Sequence, residues 1–170
     1  MRVRSVAVAT VFLLTALLLQ RSAFPVLRLP GATPDLTVVV VVGFAVLRGP
    51  LAGCVVGFTA GLLADLAPPA DHAVGRLALV FCLAGYLAGL ARDEAERSAF
   101  MPMVIVAFTA ALVVLLDAGM GRVFGDEHVT WAAVAHLLPA GVLYDVLLTP
   151  FVVPAIGFLD RPREGDPRRR

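Results

Sequence analysis

The chain has 170 residues, of which 59% are hydrophobic and only 16% are charged, and its mean hydropathy is +0.89. These values lie well outside the range of soluble globular domains and indicate a protein whose main solvent and partner is the lipid bilayer. The length allows several membrane spans and little else, so we expect one domain. We expect no nucleic-acid partner.

Six apolar segments follow one another along the chain, and we interpret each as a transmembrane helix. They run over Ser5–Leu19, Asp35–Leu47, Leu51–Leu66, Val74–Ala91, Phe100–Leu116 and Ala140–Leu159. Several are shorter than the roughly 20 residues that span a bilayer core, so either the true bounds are wider or the membrane is locally thin. The valine run 38–42 would favour a strand in water, but in lipid we predict a helix, because an unpaired strand leaves its backbone unsatisfied. Before the sixth segment, we expect Thr130 to cap a separate short helix that ends before Pro139.

The distribution of arginine predicts the orientation, and all 14 basic residues are Arg. With a cytoplasmic N-terminus, the inner side receives Arg2, Arg4, Arg48, Arg92, Arg97, Arg161, Arg163, Arg168, Arg169 and Arg170. The outer side receives Arg21, Arg28, Arg76 and Arg122. Since cytoplasmic loops carry an excess of positive charge, both termini are expected in the cytoplasm. Residues 1–160 then form a single six-span domain, and residues 161–170 form a short basic cytoplasmic tail.

Glycines recur every four residues through the third segment, at Gly53, Gly57 and Gly61, and the next step of four reaches Asp65. On a helix these positions share one face, and small residues there let another helix approach closely in lipid. The fourth segment repeats this pattern at Gly85 and Gly89, so we expect the two segments to pack closely. The stripe either packs the protein's own bundle or receives a partner helix.

The predicted topology gathers four acidic residues near the external face, namely Asp35, Asp65, Asp117 and Asp145. Arg76, at the start of the fourth span, lies just beyond the short loop that follows Asp65. A lone carboxylate at this depth would favour protonation or snorkelling. We therefore expect Asp65 either to pair with Arg76 or to accept backbone N–H bonds in that loop. Its role is either that of a helix-end carboxylate or that of a contact with a ligand or partner.

Sequence signatures of enzymes are absent, since the chain has no HExxH, no GxSxG and no glycine-rich phosphate loop followed by Lys. Tyr144-Asp145 is similar to half of the intramembrane aspartyl protease signature. The other half, Gly-x-Gly-Asp, should come later in the chain, whereas Asp65 comes earlier. Cys54 and Cys82 lack CxxC or Cys/His spacing, so we interpret them as small core residues. We expect no enzyme activity, no cofactor and no metal site.

The motifs of residues 34–92 resemble those of the bacterial rod shape-determining protein MreD family. They comprise Pro34-Asp35-Leu36, Gly53-x3-Gly57-Phe58-x2-Gly61-Leu62-Leu63-x-Asp65-Leu66, Gly75, and Gly85-Tyr86-Leu87-x-Gly89. The resemblance extends over about residues 1–160 in length, number of spans and cytoplasmic termini. By matching position, the motif is carried by Pro34, Asp35, Gly53, Gly57, Gly61, Asp65 and Gly75.

This resemblance implies a non-enzymatic, multi-pass protein of the bacterial cytoplasmic (inner) membrane that takes part in cell elongation. The implied partners are a bitopic MreC-like protein, an MreB-like filament, a RodA-like polymerase and a penicillin-binding transpeptidase. Together these direct lateral peptidoglycan synthesis and set cell shape. The implied fold is an all-α bundle of about six transmembrane helices, similar to the substrate-binding subunits (S-components) of energy-coupling-factor vitamin transporters.

An alternative function is that of such a vitamin transporter subunit, with a pocket that opens outward near Asp35, Asp65 and Asp145. That class docks its coupling subunit through an Ala-x-x-x-Ala pattern in its first span. Here Ala7, Ala9 and Ala16 are never four residues apart, which argues against the alternative. A generic helical scaffold unrelated to wall growth is a third option.

Overall fold

The computed structural model describes residues 3–22, 33–67, 75–123 and 131–160, and these residues form seven α-helices. In chain order they are α1 (Val3–Ser22), α2 (Leu36–Arg48), α3 (Pro50–Leu66), α4 (Arg76–Leu90), α5 (Arg92–Arg97), α6 (Met101–Val123) and α7 (Trp131–Asp160). The described ranges contain no strand, so the prediction of an all-α chain is confirmed for them. The expected basic tail, 161–170, lies outside the described residues.

The central helix of the bundle is α2, which contacts α1, α3, α4, α6 and α7. Every residue from Leu36 to Val46 is buried, and the valine run 38–42 is part of this stretch. Val106 of α6 and Ile156 of α7 belong to the same buried apolar cluster. The helix predicted over the valine run is confirmed, because a helix satisfies its backbone internally and leaves the branched side chains free to pack.

The apolar helices fall into two groups by length. Three of them contain long apolar stretches suited to crossing a membrane, at Arg4–Ser22, Met101–Val123 and Leu137–Asp160. The helices α2, α3 and α4 are also apolar but have only 13, 17 and 15 residues. At 1.5 Å per residue, α2 is about 20 Å long, which is less than the roughly 30 Å of a bilayer core.

The last helix begins earlier than the sequence suggests. α7 starts at Trp131 and continues through Pro139, Pro150 and Pro154 as one helix of 30 residues. The expectation of a separate short helix ending before Pro139 is therefore wrong. Interior proline leaves one carbonyl without its helical donor, and helices in a membrane protein tolerate this where neighbouring groups compensate. The short helix α5, which has no buried residue, was not predicted.

A single residue, Gly49, joins α2 to α3. Its φ of +89° lies in the region that favours glycine, and its N–H donates to the Ala45 carbonyl at 2.7 Å. Pro50 then takes the first position of α3, where a missing N–H costs no hydrogen bond. The turn makes α2 and α3 run in opposite directions, so Asp35 and Asp65 lie at the same end of the bundle.

Candidate functional site

The most extensive contact between two described helices is that of α3 with α4. Glycines line it from both sides, and an added Cβ on α3 would overlap the backbone of α4. A Cβ added to Gly53 would lie 2.2 Å from the backbone oxygen of Gly85. A Cβ added to Gly57 would lie 2.1 Å from the backbone oxygen of Phe81. A Cβ added to Gly61 would lie 2.3 Å from the backbone oxygen of Leu77.

The glycines of α4 occupy equivalent positions. A Cβ on Gly85 would lie 2.2 Å from the Gly53 oxygen, and one on Gly89 would lie 2.4 Å from the Pro50 Cα. We call the contact lined by Gly53, Gly57, Gly61, Gly85 and Gly89 the glycine seam. Side chains of any other type would separate the two backbones and remove the packing that holds helices together in lipid. The glycines of α3 thus face another helix of the same chain, and a partner helix could fill this face only by displacing α4.

Asp65 continues the glycine seam by one further step, and its carboxylate meets the start of α4. The residue is 0% exposed. Its Oδ2 accepts the N–H of Gly75 at 2.8 Å and that of Ala78 at 3.2 Å, and its Oδ1 accepts the N–H of Leu77 at 3.3 Å. The first N–H groups of a helix lack intrahelical acceptors and form the positive end of its dipole. Asp65 therefore caps a helix other than its own. Of the two contacts expected from the sequence, these hydrogen bonds correspond to the one with backbone N–H groups.

Gly75 shapes the start of α4 so that Asp65 can reach it. It is the residue immediately before the helix, and its φ of +99° is left-handed. A Cβ at this position would meet no atom within 4 Å, so the requirement for glycine is conformational rather than spatial. In this conformation the Gly75 N–H donates to the Asp65 carboxylate, so the two motif residues are in direct contact.

Arg76 links the start of α4 to α6. Its Nε lies 2.8 Å from Asp117 Oδ1, and its Nη2 donates to the Asp117 carbonyl at 2.6 Å. The Arg76 side chain is 7% exposed, whereas that of Asp117 is 36% exposed. Sequence reasoning did not propose this ion pair. The predicted topology nevertheless places both residues at one end of the bundle, and this shared position is the sequence feature that could have indicated the ion pair.

A second buried polar group joins α1, α2 and α7 at the same end, and we call it the Asp35 cluster. Asp35 Oδ1 caps α2 by accepting the N–H groups of Thr37 at 3.0 Å and Val38 at 3.3 Å. Gln20 of α1 donates its Nε2 to the same oxygen at 2.9 Å. The Asp35 N–H in turn donates to Asp145 Oδ1 of α7 at 2.6 Å. The cluster joins the end of α1 and the start of α2 to the middle of α7.

The environments of the acids indicate what they can do chemically. The Asp65 and Asp145 side chains are buried and bind backbone N–H groups, so they stabilise helix starts. Pro34, the other motif residue at the start of α2, is buried beside Asp35. Across the described ranges, no three His, Cys, Asp or Glu side chains come together as metal ligands would.

The opposite end of the bundle carries its own ion pair, which sequence reasoning missed. Arg48 Nε at the end of α2 lies 2.6 Å from Asp160 Oδ2 at the end of α7, and its Nη2 donates to the Asp160 carbonyl at 3.1 Å. Arg4 of α1 donates to the Leu159 carbonyl at 2.8 Å. These contacts tie α1, α2 and α7 together a second time. The predicted topology had already assigned the ends of these helices to one side.

A comparison with known protein families gives a match over nearly the whole chain. Residues 2–161 match the family profile described as rod shape-determining protein MreD. No curated protein and no solved structure matches the chain. The matched range contains every described helix, and so includes the glycine seam, Asp65 and the Asp35 cluster.

Proposed function

Since the chain belongs to the rod shape-determining protein MreD family, we propose that it is a non-catalytic component of the cell-elongation machinery of the bacterial inner membrane. The family determines rod shape. The finer role proposed for this chain is to hold together proteins of lateral peptidoglycan synthesis by helix–helix and protein–protein contacts.

The burial of Asp65 against the start of α4 is the observation that supports this role most. A catalytic or substrate-binding carboxylate needs a free oxygen facing a reactant. Asp65 instead directs both oxygens at N–H groups of its own chain. The residues left on the outside of the seam are large and apolar, among them Phe58, Leu79 and Tyr86. Such surfaces suit contacts with lipid and with other membrane helices.

The proposed topology has six spans, formed by α1 to α4, α6 and α7, with both termini in the cytoplasm. The Arg48 end of the bundle then faces the cytoplasm, and the Asp65 end faces outward. Fusions that end after Ala67 or Ser98 test this arrangement. Alkaline phosphatase should be active after Ala67, and a fluorescent protein should be bright after Ser98. The reverse pattern would contradict the topology.

The proposed partner of the membrane domain is a bitopic MreC-like protein, whose single span would pack on an outer face of the bundle. The glycine seam is not proposed as that face, because α4 already occupies it. An MreB-like filament, a RodA-like polymerase and a penicillin-binding transpeptidase complete the proposed assembly. Co-purification of each with the full chain tests these contacts one at a time.

The experiment that tests the function is complementation of cell shape. In a rod-shaped bacterium that lacks its own family member and grows as spheres, expression of this chain should restore rods. The variant Gly119→Ala is a matched control, since a Cβ there meets no atom within 4 Å, and it should restore rods equally well. Cells that stay round despite normal amounts of folded protein in the membrane would contradict the proposal. Tight binding of a vitamin to the purified protein would favour the transporter alternative instead.

A further inference from the structure

Two thiols meet across the contact of α3 with α4. Cys54 Sγ lies 2.9 Å from Cys82 Sγ, although 28 residues separate them along the chain. Both are free cysteines with half-buried side chains. Neither takes part in the capping, ion-pair or seam contacts described above, so the role proposed for the chain does not account for them.

The backbone around these thiols suits a covalent bond between them. Gly53 and Gly57 bracket Cys54 on α3 and hold α4 so close that a Cβ on Gly57 would lie 3.2 Å from the Cys82 nitrogen. A disulfide has sulfur atoms about 2.05 Å apart, so the two must approach by about 0.9 Å. Rotation of the side chains can supply this movement while the helices stay in place.

Exposed apolar side chains flank the two half-buried thiols. Val55 and Phe58 near Cys54 are exposed, as are Leu79 and Leu83 near Cys82. In a membrane these apolar neighbours contact acyl chains. An oxidant dissolved in the bilayer can therefore reach the pair, whereas water-soluble disulfides and reductants are kept away.

We propose that Cys54 and Cys82 form an oxidation site whose reactant is a lipid hydroperoxide. The sulfur of one thiol attacks the terminal peroxide oxygen, the O–O bond breaks, and the lipid leaves as an alcohol that takes up the thiol proton. The resulting sulfenic acid reacts with the second thiol, the S–S bond forms, and water leaves. Two thiols and one hydroperoxide thus give one disulfide, one lipid alcohol and one water.

The disulfide ties α3 to α4 next to the glycine seam. It closes a loop between residues 28 apart and so restricts the unfolded chain. The oxidised protein should consequently unfold at a higher temperature than the reduced protein. In the cell, α3 and α4 would then be covalently linked when the membrane lipids are peroxidised.

The test uses the full chain reconstituted in phospholipid vesicles, with or without a phospholipid hydroperoxide. After treatment the protein is denatured in detergent, labelled with a maleimide that adds mass to each free thiol, and separated on a gel. Untreated protein should carry two adducts, treated protein none, and treated protein reduced with dithiothreitol two again. Intact mass should show the loss of two hydrogen atoms. Two adducts remaining after hydroperoxide, or disulfide-linked dimers in place of the intramolecular product, would overturn the proposal.

Two controls separate a paired reaction from the oxidation of independent thiols. Oxidised glutathione, which stays in water, should leave both adducts in place, and a loss as fast as that with hydroperoxide would contradict the lipid-facing route. In Cys54→Ser and Cys82→Ser, a sulfenic acid formed on the remaining thiol has no second thiol to react with, so dimedone should trap it, whereas the unmodified chain should give the disulfide and little dimedone adduct. Equal yields of dimedone adduct from the unmodified chain and the variants would show that the thiols react separately and would also overturn the proposal.

Discussion

Replacement of Asp65 by asparagine perturbs the start of α4 without changing the size of the side chain. In the protein, two carboxylate oxygens serve three backbone N–H groups, those of Gly75, Leu77 and Ala78. Asparagine offers one oxygen, which can keep the bonds to Gly75 and Ala78. Its amide group then faces the N–H of Leu77, so that one buried donor opposes another.

The expected loss follows from these contacts. Hydrogen bonds to a charged group contribute about 1.5–3 kcal/mol each and neutral ones about 0.5–1.5 kcal/mol, while an unsatisfied buried donor costs about 1–3 kcal/mol. Asp65→Asn weakens two bonds and leaves one donor unsatisfied. Because the residue is 0% exposed, solvent does not reduce the effect. The free energy of unfolding should fall by about 3–5 kcal/mol on this reasoning.

The assay is unfolding of the purified protein in mixed micelles by increasing mole fraction of sodium dodecyl sulfate, followed by circular dichroism. Asp93→Asn is a matched control, because Asp93 lies exposed on the short helix α5. It should change the free energy of unfolding by less than about 0.5 kcal/mol. An Asp65→Asn variant as stable as the Asp93→Asn control would refute the capping role of Asp65.

Three further predictions use the same unfolding assay. Gly57→Ala should lower the free energy of unfolding by about 2–3 kcal/mol, because its Cβ would overlap the backbone of α4. Gly119→Ala has open space at its Cβ and should raise the free energy of unfolding by about 0.5–1 kcal/mol. Equal effects of the two substitutions would contradict close packing at the glycine seam. Gly75→Ala should cost about 1–2 kcal/mol through its left-handed backbone alone, and no loss would rule out that conformation. Asp145→Ala should cost about 1–3 kcal/mol by removing the carboxyl oxygen that accepts the Asp35 N–H and leaving that donor without its acceptor. Hydrogen exchange at that N–H should become faster, and unchanged exchange would argue against the contact.

Much of the fold was predictable because local physics decides it. The valine run of α2 must be helical in lipid, since only a helix satisfies the backbone within one segment. Asp35, immediately before the first residue of α2, is a typical N-cap residue, and it caps α2. The spacing of glycines in the third and fourth segments predicted that these two helices approach closely, and α3 and α4 do so.

The parts that sequence reasoning missed depend on how separate helices are placed. The acceptors for the first N–H groups of α4 come from Asp65 on α3, and the sequence could only offer this as one of two alternatives. The ion pair of Arg48 with Asp160 joins residues that lie 112 positions apart, so no local spacing reveals it. The expected helix end before Pro139 is wrong because α7 continues through this proline, which helices tolerate where neighbouring groups satisfy the freed carbonyl.

The glycine seam packs this protein's own helices α3 and α4, so partners are left with the other surfaces of the bundle. The most direct measurement is the amount of MreC-like protein bound per folded molecule of the Gly57→Ala variant, compared with the unmodified chain. The Gly57→Ala variant should give less folded protein but an unchanged amount of partner on each folded molecule. A variant that folds in normal yield and no longer binds the partner would contradict it.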